Sequence, residues 1–67
     1  MKIQLNNNQE TFPAEKFTVT ELLKQKNFTF KMLIVKINGT LVKKAEYDSA
    51  EVIDGDEVMV LHLISGG

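Results

Sequence analysis

Leu33-Ile34-Val35-Lys36-Ile37-Asn38-Gly39-Thr40-Leu41-Val42 is the stretch that decides the fold of this 67-residue chain. The five residues before Asn38 are rich in β-branched side chains, which suit a pleated, half-buried surface. Asn38-Gly39 is a strong hairpin signal, because both central positions of a type I′ turn need positive φ. Leu41-Val42 then forms a short returning strand.

Working outward toward the N-terminus, Thr18-Val19-Thr20-Glu21 reads as a capping box, with the Thr18 hydroxyl and the Glu21 carboxylate each satisfying a free amide. Val19, Leu22 and Leu23 supply the i, i+3, i+4 stripe of an amphipathic helix running to about Lys26. At about two turns it depends on tertiary packing rather than on propensity. Further back, Met1, Ile3 and Leu5 alternate with Lys2 and Gln4, the pattern of a half-buried strand. Asn6-Asn7-Asn8 is a turn, since Asn tolerates left-handed geometry. A weaker strand over Gln9–Phe12 follows and stops at Pro13.

Toward the C-terminus, Lys43 to Ala50 reads as irregular or as one helical turn anchored by Tyr47. Asp54-Gly55-Asp56 is a turn, and residues 57–63 are the last strand. The predicted order is strand, strand, helix, strand, strand, irregular, strand. The fold class is therefore α+β: a sheet of four to five strands with one main helix packed on one face.

Composition narrows function. With 43% hydrophobic residues the chain can build a core, although a domain of this size buries only roughly 60% of the surface its unfolded form exposes. The absence of cysteine removes disulfides, thiolate metal sites and a Cys nucleophile. Eight basic and nine acidic residues leave a net charge of −1, and Lys24, Lys26, Lys43 and Lys44 are too sparse for a nucleic-acid surface. No run matches a secretory leader or a membrane span, so a soluble cytoplasmic protein is expected.

Enzyme constellations fare no better. The one histidine, His62, has no Cys to activate, and Ser49 and Ser65 lack a nucleophile-elbow setting. A metal at His62 with Glu57 or Asp56 needs more convergence than one strand supplies. Asp54-Gly55-Asp56-Glu57 lacks the remaining ligands of a calcium loop. No Gly-rich phosphate loop is present.

Two features remain. On the last strand Val58 and Val60 point to one face, while Met59, Leu61 and Leu63 point to the other. One short helix covers one sheet face, so the second set is expected to face solvent, joined by Ile34 if Val35 and Ile37 point inward. Such a patch tends to mark a partner site, and burying each side chain is worth roughly 1.5–3 kcal/mol. Loops or a second copy covering that face are the alternative. The other feature is the ending Ile64-Ser65-Gly66-Gly67. Glycine without a Cβ lets backbone enter a narrow channel and leaves a carboxylate unhindered. Four extended residues reach at most about 13–14 Å. A frayed end is the plainer reading, but tail, patch and fold coincide.

Together these residues resemble the ThiS-type sulfur carriers of thiamine biosynthesis, within the ThiS/MoaD ubiquitin-like group. The resemblance rests on Met1-Lys2-Ile3-Gln4-Leu5-Asn6, Thr18-Val19-Thr20-Glu21-Leu22-Leu23, Val35-Lys36-Ile37-Asn38, residues 52–58 and Gly66-Gly67. It implies a β-grasp domain over residues 1–63 with a mixed sheet, and a flexible tail over 64–67. It also implies that the chain is a carrier rather than an enzyme. In such families a ubiquitin-activating-like adenylyltransferase of the ThiF type spends ATP to join AMP to the terminal glycine, here Gly67. A sulfur donor, such as a cysteine desulfurase persulfide, displaces AMP to leave a thiocarboxylate. ThiS-type carriers pass the sulfur to a ThiG-type thiazole synthase, and MoaD-type carriers to the molybdopterin precursor. On that footing Gly67 is the modified residue and residues 64–67 enter the partner's active site. Ile34, Met59, Leu61 and Leu63 form the docking surface, with no bound cofactor or metal. The short chain favours thiamine; the MoaD type and a ubiquitin-like modifier are the alternatives.

Overall fold

The computed structural model describes residues 1–29 and 31–63. Its main sheet has five strands in the order β2-β1-β7-β4-β5. These are β1 (Lys2–Leu5), β2 (Asn8–Thr11), β4 (Leu33–Ile37), β5 (Thr40–Val42) and β7 (Glu57–His62). A second, two-stranded sheet pairs β3 (Lys16–Thr18) with β6 (Glu51–Ile53), and the helix α1 spans Val19–Gln25.

Both hairpins of the main sheet turn on asparagine. Asn38 and Gly39 have φ of 51° and 82°, as the Asn-Gly pair predicts, and they close β4 onto β5 with Ile37 opposite Thr40. Asn6 and Asn7 have φ of 51° and 68° and close β1 onto β2 with Leu5 opposite Asn8. The second strand therefore begins at Asn8 and ends at Thr11, slightly earlier than Gln9–Phe12.

The capping box forms in full. Glu21 N donates to the Thr18 hydroxyl at 3.1 Å, and Thr18 N donates to the Glu21 carboxylate at 2.9 Å. At the other end Asn27 adopts φ 57°, and Phe28 N donates back to Leu23 O at 2.8 Å. That left-handed residue stops the helix after seven residues. Lys44–Glu46 is a single 3-10 turn, and Tyr47, half-buried, packs against the core as anchor.

The β3–β6 ladder was not foreseen. Phe17 lies opposite Val52, and both are buried. The local pattern of either strand, three residues long, is too short to announce itself; each exists because the other is brought beside it. The core is wholly apolar: no buried polar or charged residue lies among the described residues. Val19 and Leu22 of α1 close over Ile3, Leu5, Val35 and Val58 from the sheet. Phe12 meets Phe17 edge to face, with ring centroids 5.3 Å apart.

Asn6 does more than turn the chain. Its amide Nδ2 donates to Val60 O at 3.1 Å, and Val60 N donates to its Oδ1 at 2.7 Å. The side chain thus extends the parallel β1–β7 ladder one step beyond Leu5–Val58. Asn6→Gly keeps the left-handed backbone but loses both bonds, so equilibrium urea unfolding should show a loss of about 1–3 kcal/mol. A change within experimental error would mean that the Asn6 side chain contributes only its turn geometry.

Candidate functional site

The site is built on β7. This strand lies between β1, to which it is parallel, and β4, to which it is antiparallel. Val58 and Val60 are buried. Period-two geometry then forces Met59 and Leu61 to the opposite face. On β4, Val35 is buried opposite Val60, and Ile34 pairs with Leu61. The expected inward and outward sets are therefore the observed ones.

Of the residues expected at the surface, Leu61 is 46% exposed and Leu63 41%, while Met59 and Ile34 are half-buried. Leu63 follows the strand end at His62, and its amide donates to Met32 O at 3.0 Å. Ile64, Ser65, Gly66 and Gly67 lie outside the described residues.

The patch is larger than the sequence suggested. Leu41 on β5 is 55% exposed and stands opposite Lys36, which in turn stands opposite Met59. Leu41 therefore shares the outer face. Met32, just ahead of β4, is 49% exposed. The hairpin pattern did contain the signal for Leu41: if Val35 and Ile37 face inward, their partners Val42 and Thr40 do too, and Leu41 is left outside.

Two asparagines brace this strand. Asn38 N donates to Glu57 O at 2.7 Å, and Glu57 N donates to Asn38 Oδ1 at 2.9 Å. Asn6 grips Val60 in the same double fashion. The acidic turn ahead of the strand is likewise committed to structure. Asp54 accepts from Lys2 N at 2.7 Å, and Asp56 accepts from Ile53 N at 2.9 Å and from the Asn38 amide at 3.0 Å. These bonds are what a turn requires, and they explain the Asp-Gly-Asp motif without a cation. Among the described residues no three His, Cys, Asp or Glu side chains converge as metal ligands would.

The arrangement can therefore present an apolar face on a braced central strand. Comparison with known proteins agrees across the whole length. The sequence profile of the ThiS family matches residues 2–67. The sulfur carrier protein ThiS of Bacillus subtilis (strain 168) is 28% identical over 65 residues, which is 97% of this chain and 98% of that protein. A crystal structure of the thiamine biosynthesis protein ThiS from Geobacter metallireducens superposes with a TM-score of 0.89 at 32% identity, covering all of both chains. A solution structure of a thiamine biosynthesis protein from the same organism gives 0.82 at 32% identity, covering all of this chain and 88% of that one. Such neighbours carry the fold as a β-grasp-like mixed sheet with one helix. With the family profile matched over residues 2–67 and the fold shared with these neighbours, this chain belongs to the ThiS family.

Proposed function

We propose that the chain is a sulfur carrier of thiamine biosynthesis, acting in the cytoplasm as a co-substrate of partner enzymes rather than as a catalyst. The observation that carries this reading is the outer face of β7: Leu61 is exposed beside half-buried Met59 on the last strand, Glu57–His62, the element that precedes Gly66-Gly67 in the sequence. Membership in the ThiS family supports it, and the names of the relatives favour thiamine over molybdopterin as the pathway.

The chemistry needed is activation of a poor electrophile. A Gly67 carboxylate oxygen attacks the α-phosphorus of ATP on a ThiF-type adenylyltransferase, and pyrophosphate leaves. The acyl adenylate then has AMP as its leaving group. A persulfide sulfur from a cysteine desulfurase or another donor attacks the acyl carbon and releases AMP. A second thiol cleaves the resulting sulfur–sulfur bond, is itself oxidised to a disulfide, and leaves the thiocarboxylate. That sulfur is the nucleophile handed to a ThiG-type thiazole synthase. The chain contributes position: a handle of Ile34, Met59, Leu61 and Leu63, and a tail over 64–67 whose two glycines are slim enough to enter an active site.

Incubation with the cognate adenylyltransferase, ATP and sulfur donor should raise the intact mass by the difference between one sulfur and one oxygen, localised to Gly67 by fragmentation. An unchanged mass with every partner active would sink the carrier reading. Deleting Gly66-Gly67 should abolish this mass change while leaving partner binding measurable through the sheet face.

Leu61→Asp tests the docking face. It should weaken adenylyltransferase binding at least tenfold, about 1.4 kcal/mol, yet leave the midpoint of thermal unfolding nearly unchanged. Val60→Asp, one residue away, should instead abolish folding, because it buries an unpaired charge. A fold lost in Leu61→Asp would contradict the assignment of this face.

A further inference from the structure

The outer face of the sheet does not stop at its β5 edge. Beyond Val42, where β5 ends, Ile34, Leu41 and Leu63 also line a groove of about 590 Å³ that runs toward the C-terminal end of α1. Leu23, Phe28 and the exposed Met32 line it as well. A volume of this order accepts a bulky apolar side chain together with its neighbours.

The charged residues that line this groove are of one sign. Lys31, Lys43 and Lys44 contribute to its lining, and no Asp or Glu does so among the described residues. This is not the balance of the molecule as a whole, which carries nine acidic residues against eight basic ones. None of the three lysines forms a side-chain ion pair among the described residues, although the Lys43 amide donates to the Glu46 carboxylate at 2.9 Å. The ion pairs among the described residues are Lys16–Glu51 at 3.1 Å and Lys26–Glu10 at 2.9 Å, and neither involves the groove. The acidic turn on this chain is itself tied to main-chain amides through Asp54 and Asp56. The acidic turn of a second copy is therefore a poor match.

We infer that this groove is the second half of the docking surface, and that it receives from the adenylyltransferase an apolar side chain flanked by carboxylates. The inference rests on the carrier reading and specifies the partner's chemistry. Apolar burial holds the anchor, and the lysines select the acidic neighbours and speed encounter. Leu63 lines the groove and immediately precedes, in sequence, the segment that must enter the partner.

The test is a stopped-flow measurement of association between the full chain and the cognate adenylyltransferase across a salt series. The reversal K31E/K43E/K44E and the neutral K31Q/K43Q/K44Q are measured beside the wild type. All three lysines are exposed, so both variants should keep the wild-type circular dichroism spectrum. At low salt the reversal should slow association about tenfold or more, the neutral variant should fall between, and both should flatten the salt dependence. Equal rates and equal salt slopes for all three proteins would overturn the inference while leaving Gly67 thiocarboxylation intact as a separate result. A wild type that is never adenylated would remove both. Sedimentation of a wild-type dimer that the reversal dissociates would assign the groove to a second copy and overturn the proposal as well.

Discussion

Val58 and Val60 bury the last strand at the middle of the sheet, and nearly everything else in the molecule follows from holding it there. A strand shows alternate residues to opposite faces, so seating two valines under α1 leaves Met59 and Leu61 on the other side. Parallel pairing with β1 and antiparallel pairing with β4 give β7 a neighbour along each edge. The two asparagine turns add side-chain bonds to the same strand, Asn38 at Glu57 and Asn6 at Val60. The apolar outer face is therefore not a packing fault. It is the unavoidable other side of a strand whose inner side is needed for the core.

That constraint separates stability from recognition within one small domain. The core is entirely apolar, and the short helix contributes Val19 and Leu22 to it. The polar groups that are organised, in the capping box and in the Asp54–Asp56 turn, satisfy backbone amides. Available to a partner, among the described residues, are the face carrying Leu41, Met59 and Leu61 and the lysine-lined groove beside it. A surface of this kind suits a protein that is handled by others. Exposed Leu and Met side chains in such a group raise the risk of self-association, and the like charges of Lys31, Lys43 and Lys44 oppose it.

Local signals in the sequence carried a large part of this account. The two turns were legible because Asn and Gly are the residues that accept positive φ, and the capping box because its Thr and Glu lie three residues apart. The facing of β7 was legible from alternation once a single helix was counted. Each of these rests on neighbours within a few residues. The resemblance of several short motifs in fixed order added the family, which the match over residues 2–67 then established.

Tertiary structure alone decided the rest, because the rest depends on residues far apart in the chain. The β3–β6 ladder brings Phe17 to Val52 across more than thirty intervening positions, and three-residue strands have no periodicity to read. Asn6 as a partner of Val60 was invisible for the same reason: a turn residue announces its backbone, not what its side chain reaches. The groove is the clearest case. Leu23, Lys31, Leu41 and Leu63 come from the helix, the approach to β4, β5 and the end of β7, and only the folded sheet edge sets them side by side.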